Sequence, residues 1–337
     1  MVVAYWTDWT SAAMPPEAIP FEKVTHVNYA FSIVTSDFRP VFETGHLLNR
    51  VVAAAHAKNV KVLMSIGGWT GSQHFSPLAA TEYGRRTFID GAVKMVKDYN
   101  LDGIDIDWEY PGRPKSACNI FDEQNDAKNF LVLLQELRAT LDALPNGNKL
   151  EISLATRIPP FDGPNGLPTD VSEFSKVVNH INIMAYDMNG SWSALTGANA
   201  PLTGADGLSY VGGAQAWIDA GVPPQQINMG VPFYGRSVIT NTDMSTTLSM
   251  AAPFRKSVPP DDSNDGLWAD PCEGTAAFSV IEANGQARAP WIRKFDEASQ
   301  TPWLFNPHTN QFISYDDQES LRLKVEYAKR KNLALGS

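Results

Sequence analysis

One short stretch of alternating acidic and apolar residues constrains this chain more than any other. It runs from Leu101 to Pro111 and has the sequence LDGIDIDWEYP. Successive side chains of a β-strand point to opposite faces, so Asp105, Asp107 and Glu109 would share one face. Next-but-one residues lie about 6.6 Å apart along a strand. Carboxylates at that spacing repel one another, so we expect at least one of them to have a raised pKa.

A raised carboxyl beside an ionised one is what general acid catalysis needs near neutral pH. A solvated strand face is the alternative for alternating acids, but the opposite face carries Ile104, Ile106 and Trp108 and is too apolar for that. Asp102 falls out of phase with the other acids, so we expect it to have a structural role at the start of the strand. The stretch therefore predicts an acid–base site on one face of a strand.

The composition limits the classes of partner. The chain has 337 residues, of which 43% are hydrophobic and 19% are charged, so a sizeable core is expected. A net charge of −10 argues against nucleic acid and against an anionic membrane as partners. No apolar run reaches transmembrane length. Residues 1–6 are too few for a signal peptide, so either the protein is cytosolic or a signal peptide has been removed.

The cysteines and histidines predict no metal site and no cofactor. Cys118 and Cys272 belong to no CxxC motif and to no Cys/His cluster. They could form one disulfide in a secreted protein, or they could be two free thiols. The six histidines are scattered along the chain, which is typical of structural residues rather than of ligands.

Apolar strands alternate with amphipathic helices through the first 236 residues. Besides the acidic stretch, the predicted strands are 2–6, 24–31, 60–66, 150–155, 178–186 and 227–232. The predicted helices in this part are 47–57, 81–99, 125–144 and 210–220, and a further helix is predicted at 321–331. Such alternation implies an α/β fold with a parallel sheet, either doubly wound or closed into a (βα)8 barrel. No GxGxxG follows the first strand, which weakens the doubly wound, dinucleotide-binding alternative.

The alternating pattern stops after the seventh strand. Residues 237–312 are rich in Pro, Gly, Asp and Ser, which predicts a small α+β insertion in a late βα loop. We therefore predict a catalytic barrel made of 1–236 and 313–337, with the insertion domain at 237–312. No credible eighth strand follows the last helix, so we expect the barrel to lack it.

Further motifs accompany the acidic stretch in a fixed order. They are Tyr29-Ala30-Phe31, Ser65-Ile66-Gly67-Gly68-Trp69, Met184-Ala185-Tyr186-Asp187, Gly190-Ser191-Trp192, Pro232-Phe233-Tyr234-Gly235-Arg236 and Ile313-Ser314-Tyr315-Asp316-Asp317. With Asp102-x-x-Asp105-x-Asp107-x-Glu109 they resemble the motifs of family 18 glycoside hydrolases, the chitinases, and are similar to those of secreted fungal members. The resemblance covers essentially the whole chain. It implies a TIM barrel, an extracellular monomer, and chitin and chito-oligosaccharides as partners.

The resemblance also implies a substrate-assisted mechanism, which departs from the usual pair of catalytic carboxylates. The acetamido oxygen of the sugar attacks its own anomeric carbon and forms an oxazolinium ion. Glu109 would protonate the leaving oxygen and later deprotonate water. Asp107 would hydrogen-bond the acetamide N–H, and Asp105 would share a proton with Asp107. Tyr186 would hold the acetamide oxygen in line for attack.

The remaining site residues are predicted to contact sugars. The resemblance assigns this role to Tyr5, Trp9, Phe31, Gly68, Trp69, Tyr110, Met184, Asp187, Trp192, Tyr234 and Arg236. For Trp9 and Trp192 a place in the core is an open alternative. Ser65 is expected to support the acid cluster by a hydrogen bond rather than to act as a nucleophile, because no histidine lies in a triad-like context.

Three functions are compatible with these motifs. The first is an endo-acting chitinase, which the presence of both Asp107 and Glu109 favours. The second is a non-hydrolytic chitin-binding protein on the same scaffold, which the absence of an eighth strand favours. The third is an endo-β-N-acetylglucosaminidase acting on glycoprotein glycans. The stacking aromatic residues and the sizeable insertion favour chitin over such glycans.

Overall fold

In a computed structural model, the chain forms two compact units. The structure describes residues 1–113, 119–161, 170–254, 267–268 and 287–334. The first unit comprises 1–183, 216–228 and 332–337, and the second comprises 184–215 and 229–331. Cys118 and Cys272 lie outside the described residues, so the alternative of a disulfide or two free thiols stays open.

The first unit is built on a sheet whose strand order follows the chain. Its strands are β1 Val3–Thr7, β2 His26–Val34, β3 Pro40–Val41, β4 Lys61–Gly67, β5 Gly103–Asp107, β6 Glu151–Arg157, β7 His180–Met184 and β8 Ile227–Met229. The order is β1-β2-β4-β5-β6-β7-β8, and β3 is a short antiparallel partner of β2. The pairs from β1 through β6 are parallel. All seven predicted strands are present, in the order that a (βα)8 barrel requires.

Helices follow the strands, as the apolar periodicity predicts. They are α1 Gly45–His56, α2 Gly68–Gly71, α3 Phe75–Ala79, α4 Glu82–Tyr99, α5 Asp126–Asp142, α6 Ser172–Ser175 and α7 Tyr210–Asp219. The longest, α4, begins at Thr81, whose side chain accepts a hydrogen bond from the Gly84 N–H, and ends at Asn100 in the left-handed conformation. The predicted helices 47–57, 81–99, 125–144 and 210–220 are therefore confirmed to within two residues at each end.

The apolar face of β5 packs against the helices. Ile104 and Ile106 are completely buried, and Trp108 is 2% exposed. The Trp108 ring stacks on Phe75 of α3, with ring centroids 5.4 Å apart, and meets Phe130 of α5 edge-on at 5.1 Å. This packing fixes the acidic residues on the opposite face of β5. The sequence prediction for the two faces of this strand is confirmed.

The sheet has two ends, β1 and β8. Within the described residues no strand pairs with the outer edge of either, which agrees with the predicted absence of an eighth barrel strand. The N–H of Ala334 donates to the carbonyl oxygen of Ile227 at 3.0 Å, and Leu333 is buried. Ala334, at the end of the described residues, therefore contacts the start of β8.

The second unit contains an antiparallel sheet. Its strands are β9 Gly235–Ile239, β10 Leu267–Trp268, β11 Ile292–Asp296, β12 Thr301–Asn306 and β13 Gln311–Ser314, in the order β10-β9-β13-β12-β11. Helix α8, Gln318–Arg330, follows and matches the predicted helix 321–331. The predicted insertion, 237–312, lies within this unit and is described only in part, so its boundaries stay a prediction. In the described part of the chain, no helix combines the length and the apolar character that a membrane crossing requires.

Candidate active site

Asp105 is the most enclosed of the predicted site residues. Its carboxylate is completely buried and accepts hydrogen bonds from the hydroxyls of Tyr5 at 3.0 Å, Ser65 at 2.7 Å and Ser153 at 2.5 Å. The side-chain amide of Asn182 lies 3.4 Å away. Burial raises the pKa of Asp105, and these hydrogen bonds oppose the rise because they favour the charged form.

The register of the parallel sheet delivers two of these donors. Ser65 of β4 and Ser153 of β6 are the direct neighbours of Asp105 on either side of β5. The hydrogen bond from Ser65 confirms its predicted supporting role. Sequence reasoning missed Ser153 and Asn182, although each is a polar residue within an apolar strand and could have been noticed on that ground.

Asp107 is two residues further along the same strand face and is 3% exposed. Its pKa is raised well above the usual value by burial, and then by the negative charges of Glu109 and Asp105. The predicted raised pKa within the acid cluster is thus confirmed. Among the described residues, Oδ1 of Asp107 has no hydrogen-bond partner, so a proton shared with Asp105 stays a prediction.

Glu109 follows the end of β5 and is 8% exposed. Its backbone N–H donates to Oγ of Ser72 at 2.9 Å, and its carbonyl oxygen accepts from Nδ2 of Asn119 at 2.7 Å. The peptide bond to Tyr110, which is half-buried, is cis. Side chains from two different loops therefore hold both polar groups of the Glu109 backbone.

Asp102 has the structural role expected of it. Its Oδ2 accepts hydrogen bonds from His56 Nε2 and from the backbone N–H of Val62, both at 2.8 Å. These bonds join the start of β5 to α1 and to β4. The carboxylate therefore belongs to the opposite end of the strand from Glu109.

Two glycines allow the ends of β4 and β5 to approach closely. Gly67 has a φ of +119°, and a Cβ atom at this position would lie 2.1 Å from the carbonyl oxygen of Asp107. Gly68 has a φ of +77°, and its Cβ atom would lie 3.1 Å from the ring of Phe31. Gly68 is buried and is followed by the exposed Trp69. The SxGGW motif thus makes room for the backbone that precedes Glu109.

Exposed aromatic rings lie at the carboxyl ends of the first strands. Trp9 is 65% exposed and stacks on Phe31, with ring centroids 6.1 Å apart. Trp69 is 51% exposed and Tyr5 is 36% exposed. The alternative that Trp9 belongs to the core is therefore wrong. Exposed aromatic faces of this kind suit stacking against sugar rings.

The second unit contains a separate cluster centred on Asp187. Its Oδ1 accepts hydrogen bonds from the Tyr234 hydroxyl at 2.7 Å and from Arg236 Nε and Nη2 at 2.9 and 2.7 Å. The Arg236 guanidinium lies 4.5 Å from the ring centroid of Trp192, which is 52% exposed, so the core alternative for Trp192 is wrong. The cluster therefore holds a partly exposed tryptophan beside an ion pair.

The two tyrosines of this unit are neighbours. The Tyr186 ring meets the Tyr234 ring edge-on, with centroids 5.9 Å apart. Burial raises the pKa of Tyr234 well above its usual value, and the negative charge of Asp187 raises it further. Tyr186 and Met184 are both half-buried.

The predicted site residues fall into two groups. The first unit contains Tyr5, Trp9, Phe31, Gly68, Trp69, Asp105, Asp107, Glu109 and Tyr110. The second unit contains Met184, Tyr186, Asp187, Trp192, Tyr234 and Arg236. The catalytic and substrate-binding roles assigned to them stay predictions.

Comparison with known proteins identifies the family. The sequence model for glycosyl hydrolases family 18 matches residues 1–336. The chain belongs to this family. A relative named chitinase-like effector, from Moniliophthora roreri, is 36% identical over 98% of this chain and 86% of its own length.

Solved structures agree with the family 18 assignment. A chitinase from Rhizomucor miehei superposes with a TM-score of 0.88 at 32% identity, covering 99% of this chain and 93% of that one. A mutant family 18 chitinase from Cycas revoluta in complex with (GlcNAc)4 has a TM-score of 0.84 at 25% identity, with the same coverage. The predicted family, the barrel class and a glycosidase of the chitinase type are thereby confirmed.

Proposed function

We propose that this chain hydrolyses internal β-1,4 bonds of chitin and chito-oligosaccharides with retention of configuration. The observation that carries the proposal is the enclosed carboxyl series at the end of β5, where two buried aspartates precede Glu109. The family membership supports the same reaction class. Related chitinase structures contain bound chito-oligosaccharides, which supports the substrate.

Glu109 is the proposed acid and base of this reaction. Its carboxylic acid gives a proton to the glycosidic oxygen as the bond from that oxygen to the anomeric carbon breaks. The acetamido oxygen of the same sugar forms the new bond to that carbon, giving an oxazolinium ion. Glu109, now a carboxylate, takes a proton from water as the water attacks the anomeric carbon. The bond from the acetamido oxygen to that carbon breaks, which opens the oxazolinium ring. The two inversions together retain the configuration.

Asp107 is the proposed partner of the acetamide. Its carboxylate would accept a hydrogen bond from the acetamide N–H and stabilise the positive charge that develops on the oxazolinium ion. A buried carboxylate does this better than a solvated one, because water does not compete for the interaction. The resemblance assigns the alignment of the acetamide oxygen to Tyr186, and this assignment stays a prediction.

A Glu109→Gln variant tests the proposal. It should release no product from an N-acetylglucosamine hexamer, because an amide cannot supply the proton, while its affinity for the hexamer remains. Products are followed by mass spectrometry, and the anomer of the first product by proton NMR. Glu173→Gln is the control, since Glu173 is an exposed residue paired only with Lys176 among the described residues. A parent protein that binds the hexamer but releases nothing would contradict the proposal.

Non-hydrolytic chitin binding is the second candidate function. The name of the Moniliophthora roreri relative, chitinase-like effector, is the observation that favours it. In that case the parent and Glu109→Gln would bind the hexamer equally and neither would release product. The hexamer experiment therefore separates the two candidates directly.

An extracellular location and a monomeric state are parts of the same proposal. Chitin is an insoluble polymer, so an enzyme that attacks it must meet it where it is laid down. Fractionation of the producing cells tests the location, and light scattering of the purified protein tests the monomer.

A further inference from the structure

Ser72 is a buried side chain that the proposed mechanism does not use. It is completely buried between α2 and α3. Its Oγ accepts the hydrogen bond from the Glu109 N–H at 2.9 Å and lies 2.8 Å from the carbonyl oxygen of Gly68 and 3.0 Å from that of Asp107. One hydroxyl therefore contacts the backbone on both sides of Trp108.

The position of Ser72 beside the end of the sheet explains why this contact matters. The register between β4 and β5 ends where Gly67 pairs with Asp107. Beyond that point no strand of the described residues pairs with the chain on this side, although Trp108 and Glu109 are still buried. The Ser72 hydroxyl takes the place of the missing partner for the Glu109 N–H. A buried N–H without a partner is costly, so removing the hydroxyl would favour a shift of this peptide.

The other side of Glu109 is fixed by the loop that follows it. Asn119 donates to the Glu109 carbonyl oxygen, and the N–H of the next residue, Ile120, donates to the carbonyl oxygen of Gln73 at 3.2 Å. Gln73 is the direct neighbour of Ser72 in the sequence. The same short segment after α2 therefore supports Glu109 directly through Ser72 and indirectly through the loop at 119–120.

We propose that Ser72 is a positioning residue, which holds the backbone of Glu109 so that its carboxyl keeps the direction needed for proton transfer. The proposal rests on the proposed function of Glu109 as acid and base. Trp108 and its stack on Phe75 fix the same peptide from the apolar face. The Ser72 hydroxyl and the Asn119 amide hold the N–H and the carbonyl oxygen of the Glu109 backbone.

Ser72→Ala tests the proposal in the full chain. A carboxyl displaced by a fraction of an ångström should lower kcat by about ten- to a hundredfold, with KM within about twofold, because the sugar-contacting surfaces are untouched. Ser76→Ala is the matched control. Ser76 is a buried serine one turn further along, and its hydroxyl bonds to Asp126 instead of to Glu109. Each variant is assayed below its measured melting temperature.

A second measurement does not depend on activity. Carbon-13 NMR of protein labelled at the glutamate side-chain carboxyls gives the titration of Glu109, identified by its absence in Glu109→Gln. Ser72→Ala should move this titration, because the carboxyl changes its distance from Asp107, whereas Ser76→Ala should leave it in place. A parent that cleaves nothing would contradict the proposed function, and the titration would still decide the role of Ser72. An unmoved titration, or a kcat loss no larger than that of Ser76→Ala, overturns the assignment.

Discussion

At the scale of single residues, Asp105 and Asp107 differ in what surrounds them. Asp105 accepts hydrogen bonds from three hydroxyls, which offset part of its burial. Asp107 is buried beside two other acids, and its pKa is the one raised far above the usual value. Two residues of one strand face therefore differ in how readily they hold charge. The hydrogen-bond donors around Asp105, and the negative charges of Glu109 and Asp105 beside Asp107, create that difference.

Asp105→Asn should move the pH dependence of hydrolysis towards acid. Removing the negative charge of Asp105 removes one of the causes that raise the pKa of Asp107, so Asp107 will ionise at a lower pH. The measurement is the pH profile of kcat/KM, with Asp102→Asn as control because Asp102 lies at the far end of β5. A profile that stays in place, or moves towards alkali, contradicts this coupling.

At the scale of secondary-structure elements, the ends of β4 and β5 are packed backbone against backbone. Gly67 permits this because it has no side chain and adopts a positive φ. The turn that follows carries Gly68, the exposed Trp69 and the buried Ser72. This short segment therefore presents an aromatic ring to solvent and a hydroxyl to the Glu109 backbone.

Gly67→Ala should destabilise the fold severely, by at least about 4 kcal/mol, or prevent folding. Its Cβ atom would meet the Asp107 carbonyl oxygen at 2.1 Å, and the φ of +119° is one that only glycine adopts readily. Gly207→Ala is the control, because Gly207 has a φ of +76° and nothing lies within 4 Å of its Cβ position. That variant should lose only about 1 kcal/mol. Urea unfolding measures the stability of both variants. Equal losses of stability would contradict the claim that the close approach of β4 to β5 requires Gly67.

At the scale of the whole molecule, the first unit carries charged groups at both ends of its parallel strands. The acids of the candidate site lie at the carboxyl ends. At the amino ends, Glu151 of β6 forms ion pairs with His26 of β2, at 3.0 Å, and with Lys61 of β4. His180 of β7 is completely buried beside them. The candidate site and the stabilising ion pairs thus lie at opposite ends of one sheet, as is usual for barrels.

These amino-end groups predict a loss of stability in acid. Burial acts to raise the pKa of Glu151, but the hydrogen bonds from His26 and Lys61 outweigh it and hold the pKa at about 2 instead of 4.5. The ionised Glu151 carboxylate contributes on the order of 3 kcal/mol to the free energy of unfolding. This contribution is complete above pH 4.5 and is lost as the pH falls towards 2. Burial lowers the pKa of His180 from 6.5 to about 4, so its protonation in the unfolded chain destabilises the fold below pH 6.5.

Glu151→Gln should therefore be less stable than the parent at pH 7, and the difference should shrink as the pH falls towards 3. Urea unfolding at a series of pH values measures it. Glu173→Gln, which removes an exposed charge, should match the parent throughout. A Glu151→Gln penalty that stays constant with pH would show that the side chain acts through packing and not through its charge.

Sequence reasoning located the elements and the acids because both depend on local periodicity. Because successive side chains of a strand point to opposite faces, the three acids within 105–109 lie on one face, independently of the rest of the chain. Apolar spacing likewise located seven strands and the main helices. It did not assign Ser153, Asn182 or Ser72 to the site, because an isolated polar residue has no periodicity that identifies its partner.

The sequence by itself thus determined the order of strands and helices, the family, and the acidic face of β5. Only the tertiary structure decided which groups surround those acids. Ser65 and Ser153 reach Asp105 from 40 and 48 residues away, because the register of parallel strands places them there. It also decided that Ser72 reaches the Glu109 backbone from 37 residues away. Hydrogen bonds between distant segments depend on packing, and the charge state of a buried carboxyl follows from them.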